Sequence, residues 1–172
     1  MRKLFFFLAI VGTLIFSLDS CKKSVSLDEL RAQELNRLDS YLSYHNIHDS
    51  LTSSGMYYIQ RKAGTGDSIK AGDRVKIFYT ASYIVDDTTA TVFYSTGNYT
   101  PYDFVVGTDN VAGLNEGLTY MKQGGKATFI IPSDIGFGAT NNYQYGIPRF
   151  STLVYDVEVY RHYVTDTTTT TP

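Results

Sequence analysis

Two eleven-residue runs, Arg74 to Ile84 and Leu153 to Tyr163, constrain this chain more than any other feature in it. In the first, Val75, Ile77 and Tyr79 alternate with Lys76, Phe78 and Thr80; in the second, Leu153, Tyr155, Val157 and Val159 alternate with Val154, Asp156, Glu158 and Tyr160. Successive side chains of a strand point to opposite faces, so this alternation predicts strands, with the odd positions of the second run turned toward a core. Val, Ile, Thr, Tyr and Phe also dominate Met56 to Gln60, Val92 to Ser95, Tyr102 to Val106 and Lys126 to Pro132, and Gly, Asp and Asn clusters separate these segments. An antiparallel sheet is expected. One short helix, Leu114 to Met121, interrupts the strands, and Gly124-Gly125 is expected to close it with a left-handed stop. The fold class is therefore α+β, a sheet with one helix lying across its face. With 43% hydrophobic residues among 172, including 15 Tyr and 10 Phe, the chain has enough apolar surface for one core.

The ends of the chain read differently. Arg2 and Lys3 precede an apolar run from Leu4 to Phe16, shorter than the roughly 20 residues of a comfortable membrane span and of the kind found in signal peptides. It leads into Leu18-Asp19-Ser20-Cys21, which resembles the lipobox of a bacterial lipoprotein and contains the only cysteine in the chain. A lone cysteine cannot close an intramolecular disulfide, whereas its thiol can carry a lipid. Residues 1–20 are thus expected to be a signal peptide, with lipidated Cys21 starting the mature protein. Residues 22–53 read as a helix and linker: Ser26-Leu27-Asp28-Glu29 has the form of a capping box, and Leu27, Leu30, Leu35, Leu38 and Leu42 share a broad face up to about His45. A domain over 54–163 follows, and the Thr-rich tail over 164–172 is too uniform to build a core.

Several function classes drop out. A net charge of −2 supplies no basic field for nucleic acid. His45 and His48 stand close together without a third ligand, so no metal site is expected. The three histidines and single cysteine lie away from any serine–acid arrangement that would build a nucleophilic triad. Asp86-Asp87 reads as a solvated hairpin turn between strands. "GFGAT" lacks the third glycine and the following helix of a phosphate cradle. The loop "IPSDIGFGAT", Ile131 to Thr140, therefore holds aromatic and turn residues with no proton-transfer group except Asp134.

Three blocks, "GDRVKIFYTA", "VAGLNEGLTYMKQGGKATFIIPSDIGFGAT" and "GIPRFSTLVYDVEVY", resemble those of FKBP-type peptidyl-prolyl cis-trans isomerases, and "SGMYYIQRKAGTGDSIKAGD" resembles the lead-in of the bacterial branch. The likeness runs in order from about Ser54 to Arg161. It implies a curved antiparallel sheet wrapped around the short helix, an apolar pocket between them, and an activity that needs no cofactor. Carried onto this chain, it places Tyr79, Phe93, Tyr102, Val111, Leu114, Phe137, Ile147 and Tyr155 on the pocket wall. Val111 would offer its backbone N–H to a substrate carbonyl, and Leu114 would form the floor where many relatives carry tryptophan.

Two positions depart from the family pattern. Phe93-Tyr94-Ser95 stands where the family usually has Phe-Asp-Ser, which puts Tyr94 in place of a carboxylate, and Phe137 stands where a tyrosine hydroxyl is usual. A neutral hydrogen bond lost at either place costs about 0.5–1.5 kcal/mol. Three readings stay open: a lipid-anchored prolyl isomerase or folding helper that acts on proline-containing segments of exported proteins in the bacterial envelope, facing the periplasm; a non-catalytic peptide-binding module in an envelope assembly; and a structural lipoprotein whose pocket is filled by its own side chains, for which the high tyrosine content speaks.

Overall fold

The computed structural model describes residues 25–48, 50–109 and 111–164. The apolar leader, Cys21 and nearly all of the Thr-rich tail lie outside the described residues. Helix α1 spans Leu27–Tyr44. Along the chain follow β1 (Tyr57–Lys62), β2 (Thr65–Ser68), β3 (Arg74–Ile84), β4 (Ala90–Ser95), β5 (Tyr102–Val105), α2 (Ala112–Thr119), β6 (Lys122–Gln123), β7 (Lys126–Ile131), a 3-10 turn (Ser133–Ile135) and β8 (Leu153–Tyr163).

The two alternating runs are the paired centre of the main sheet. Its order is β1-β7-β8-β3-β4, with antiparallel pairing throughout, and β5 also pairs with β3. Along one side β3 meets β8, with a register shift at Lys76/Ile77. Along its other side β3 pairs with β5 through Ile77 and with β4 from Thr80 onward. Val75, Ile77, Ala81, Leu153, Tyr155, Val157 and Val159 are buried on the face that α2 covers. The contact is close: a Cβ on Gly113 would stand 2.5 Å from Ile131 Cγ2, and one on Gly117 would stand 2.6 Å from the Phe129 ring.

Helix α1 covers part of the opposite face. Ser26 is its N-cap, with Oγ accepting the Glu29 N–H at 3.1 Å. Leu38 and Leu42 pack with Ile84, Ile130 and Val154. The expected leucine face is narrower than the sequence suggests, because Leu27 and Leu35 are exposed and Leu30 is half-buried. The inward line runs through Glu34, Leu38 and Leu42, four residues apart, and residues so spaced stack along one side of a helix.

The short helix also differs from its expected bounds. It starts at Ala112 and ends at Thr119, with Tyr120 as C-cap, so Gly124 does not stop it. Gly124, at φ 77°, turns the chain between β6 and β7. Met121 has already left the helix, since its carbonyl accepts the Ile69 N–H beside the small β2–β6 ladder. That ladder was not expected, because "TGDS" and "KQ" carry no apolar alternation.

Candidate functional site

Tyr79 lies on β3 at the gap between its two partners, where pairing with β5 has ended and pairing with β4 has not begun. Thr96 fills the gap: its Oγ1 accepts the Tyr79 N–H at 3.0 Å, and its own N–H donates to the Tyr79 carbonyl at 3.0 Å. The ring so fixed stacks on Tyr94 of β4 (centroids 5.2 Å, 28° between planes) and on Tyr155 of β8 (5.7 Å, 21°). Tyr102 of β5 meets it edge-on at 5.8 Å. Phe93 stands edge-on to Tyr155 at 6.4 Å and tilted to Tyr145 at 5.5 Å. Such spacings are those of favourable aromatic pairs, so several strands contribute to one aromatic box.

Phe137 completes it from the loop after β7. Pro132 leaves the strand, the 3-10 turn follows, and Gly138 at φ 66° reverses the chain so that its N–H donates to the Ser133 carbonyl at 2.9 Å. The Phe150 N–H donates to the Gly138 carbonyl at 2.9 Å, tying this loop to the approach to β8. The base of the same loop is held by α1. Glu34, 2% exposed, accepts from the Ser133 N–H at 2.8 Å, the Ser133 hydroxyl at 2.6 Å and the Thr152 hydroxyl at 2.9 Å. Arg31 pairs with both Glu34 and Asp134, which accounts for the one acid of the loop.

The resulting cavity of about 290 Å³ brings together Tyr79, Phe93, Tyr94, Tyr102, Val111, Phe137 and Tyr155, all of them among the residues singled out in the sequence. Leu114 and Ile147 do not line it; at 2% and 1% exposure they belong to the core cluster. Asp109, Asn142, Gln144 and Tyr145 line the cavity and were not anticipated. Asn142 and Ile147 exchange backbone hydrogen bonds at 2.9 and 3.0 Å, which pinches the segment between them into a loop carrying Gln144 and Tyr145. The tyrosines of "NNYQYG" are the available signal, but the position of Tyr145 over Phe93 depends on that pinch, and Tyr143 stays exposed.

The Val111 N–H is already engaged: it donates to Asp109 Oδ1 at 2.8 Å. The hydroxyls of Tyr79, Tyr94, Tyr102, Tyr145 and Tyr155 have no hydrogen-bond partner among the described residues. Burial pushes the Tyr79 phenol well above its usual range, with Tyr155, Tyr94, Tyr102 and Asp109 adding to the effect. Burial does the same to Tyr155, followed by the Asp109 and Tyr145 contributions. Both phenols therefore keep their protons and remain donors over the physiological range. The arrangement offers ring walls and neutral hydroxyl donors to an apolar guest with a carbonyl.

Comparison with known proteins gives a consistent picture. The family profile described as FKBP-type peptidyl-prolyl cis-trans isomerase matches residues 66–160. The chain is 35% identical over 111 residues to the FKBP-type isomerase FkpA of Buchnera aphidicola, covering 64% of this chain and 42% of that protein. It is 35% identical over 109 residues to FkpA of Escherichia coli, covering 63% of this chain and 38% of that protein. The chain thus spans about two fifths of the length of these curated relatives. The crystal structure of Escherichia coli FkpA superposes with a TM-score of 0.65 at 26% identity, covering 79% of this chain and 62% of that one. A peptidyl-prolyl isomerase from Pseudomonas syringae pv. tomato superposes at 0.67 and 19% identity, covering 83% and 99%, and at that identity speaks for the fold alone.

Proposed function

Because the chain belongs to the FKBP-type peptidyl-prolyl cis-trans isomerase family, we propose that its aromatic cavity binds Xaa-Pro segments and speeds their cis–trans rotation. The observation that carries this reading is the box of stacked rings around Tyr79, built from separate strands and lined by hydroxyls that no group among the described residues engages. Rotation about an Xaa-Pro bond breaks no covalent bond; the barrier of about 18–20 kcal/mol comes from amide resonance. A twisted amide has lost part of that resonance and is less polar than the planar one, so apolar walls favour it over the ground state. Each gain of about 1.4 kcal/mol at the twisted state is a tenfold gain in rate.

In this reading Tyr79, Phe93, Phe137 and Tyr155 form the walls, Tyr94 and Tyr102 hold the rim, and the tyrosine hydroxyls hold the substrate carbonyl. Leu114 and Ile147 support the wall from the core. Val111 contributes its N–H only when the substrate carbonyl shares it with Asp109 or displaces that carboxylate. This occupied N–H, together with Tyr94 and Phe137, is the specific observation behind a second reading: a groove that binds proline segments without turning them over.

Isomerisation of a short Leu-Pro peptide by the purified chain, beside a Tyr155→Ala variant, tests the two. We expect catalysis in the parent and at least a tenfold loss of kcat/KM in the variant, about 1.4 kcal/mol of transition-state stabilisation. Peptide binding without catalysis in the parent favours the module, and no binding at all sinks both.

The cellular setting follows from the sequence of the leader. We place the protein in the bacterial envelope, lipid-anchored through Cys21 and facing the periplasm, with exported proteins as clients. Among the described residues no helix is long and apolar enough to cross a membrane. Incorporation of a fatty-acid label into the full chain, and its loss in Cys21→Ala, is the expected result; label retained in that variant would remove the anchor.

A further inference from the structure

Among the described residues, Asp109 is the one formally charged residue that lines the aromatic cavity. It is held there by α2. The Asn115 side chain donates from Nδ2 to the Asp109 carbonyl at 2.7 Å and accepts the Gly107 N–H on Oδ1 at 2.7 Å, clamping the loop on both sides. Oδ1 of Asp109 takes the Val111 N–H at 2.8 Å, and Asp109 enters no ion pair among the described residues. Arg74 and Lys76 of β3 pair instead with Asp103, at 2.7 and 3.6 Å. The half-buried carboxylate thus faces a cavity with tyrosine rings and no positive charge.

We propose that Asp109 makes this cavity select proline segments flanked by lysine or arginine. This rests on the reading of the cavity as a site for Xaa-Pro segments. A flanking cation gains the carboxylate and the open face of Tyr94 or Tyr102 in a site partly screened from water, where both attractions exceed their surface values. A flanking carboxylate meets only repulsion. The reach of the charge is visible in the phenols of Tyr79, Tyr102 and Tyr155, each pushed upward in part by Asp109 after the larger effect of burial. Tyr94, the residue that β4 contributes beside Phe93, is neutral, so the negative charge in the cavity comes from the loop before α2.

The test compares three peptides that differ only in the residues on both sides of one proline: Lys-Pro-Lys, Leu-Pro-Leu and Glu-Pro-Glu. Binding is read by NMR titration of the full chain and turnover by kcat/KM. We expect Lys-Pro-Lys to exceed Glu-Pro-Glu by about fivefold or more at low salt, with the ratio shrinking as salt is raised. In Asp109→Asn, which keeps the Oδ1 acceptor for Val111, the ratio should fall to about one. A flat ranking in the parent, or the same ranking in the variant, overturns the inference while leaving the peptide site intact. A chain that binds none of the three overturns the peptide site and the inference together. Ranked binding without turnover supports the inference and separates it from the catalytic claim.

Discussion

Glu34 shows how much one buried residue can decide. Its carboxylate is almost sealed from solvent and satisfied by Arg31, Ser133 and Thr152. Removing it would leave the Ser133 N–H and two hydroxyls without their acceptor. Glu34→Ala is expected to destabilise the fold by about 3 kcal/mol, and the isosteric Glu34→Gln by less, measured by urea unfolding. Unchanged stability in the alanine variant would mean that the network carries no weight. The buried phenols give a pH prediction with the opposite sign from the usual carboxylate case. The pKa values of Tyr79 and Tyr155 are raised by folding, so the folded state holds their protons more tightly. Their contribution is complete below the ordinary phenol value of 10.0 and is lost as pH rises beyond it. Unfolding free energy should therefore fall above about pH 10, less steeply in Tyr155→Phe than in the parent. At the other end, Asp86 accepts from the backbone N–H groups of Thr88 and Thr89, which with the two threonine hydroxyls hold its carboxyl down at about 2.

The contact between α2 and the sheet is the element on which the cavity rests. Alanine normally stabilises a helix by about 1 kcal/mol over glycine. At Gly117 the added Cβ would approach the Phe129 ring to 2.6 Å, and at Gly113 it would approach Ile131 to 2.5 Å. Overpacking of this kind costs about 1–3 kcal/mol and should outweigh the propensity gain. Gly117→Ala is thus expected to lower the urea midpoint, whereas a rise would show that the Phe129 ring gives way freely. The existence of α2 and of the long strands was legible from periodicity. Their bounds at β3 and β8 match the sequence reading, because residues that favour strands fill both runs and turn residues flank them. The β2–β6 ladder was not legible, since its pairing depends on chain closure and not on apolar pattern.

At the scale of the molecule, α1 couples the back of the sheet to the cavity loop. It covers Ile84, Ile130 and Val154 with Leu38 and Leu42, and through Glu34 it also pins Ser133 at the base of the Phe137 loop. A chain lacking residues 25–48 is expected to lose about 4.5–6 kcal/mol of stability, from three aliphatic side chains newly exposed at about 1.5–2 kcal/mol each. Since domains of this size are stable by only about 5–15 kcal/mol, this is a large share, readable as a lowered thermal midpoint. An unchanged midpoint would show α1 to be an independent appendage.

The sequence by itself determined the strands of the main sheet, the capped start of α1, the aromatic character of the site and most of its wall, because each of these is written in local side-chain type and spacing. Only the tertiary structure decided which partners those residues meet. Glu34 reads as an ordinary polar position on a helix until Ser133, 99 residues away, is folded against it. Asp109 reads as a loop acid until α2 holds it beside the rings, where it takes the Val111 N–H. Burial and hydrogen-bond partnership are set by contacts between distant parts of the chain, so no local pattern could reveal them.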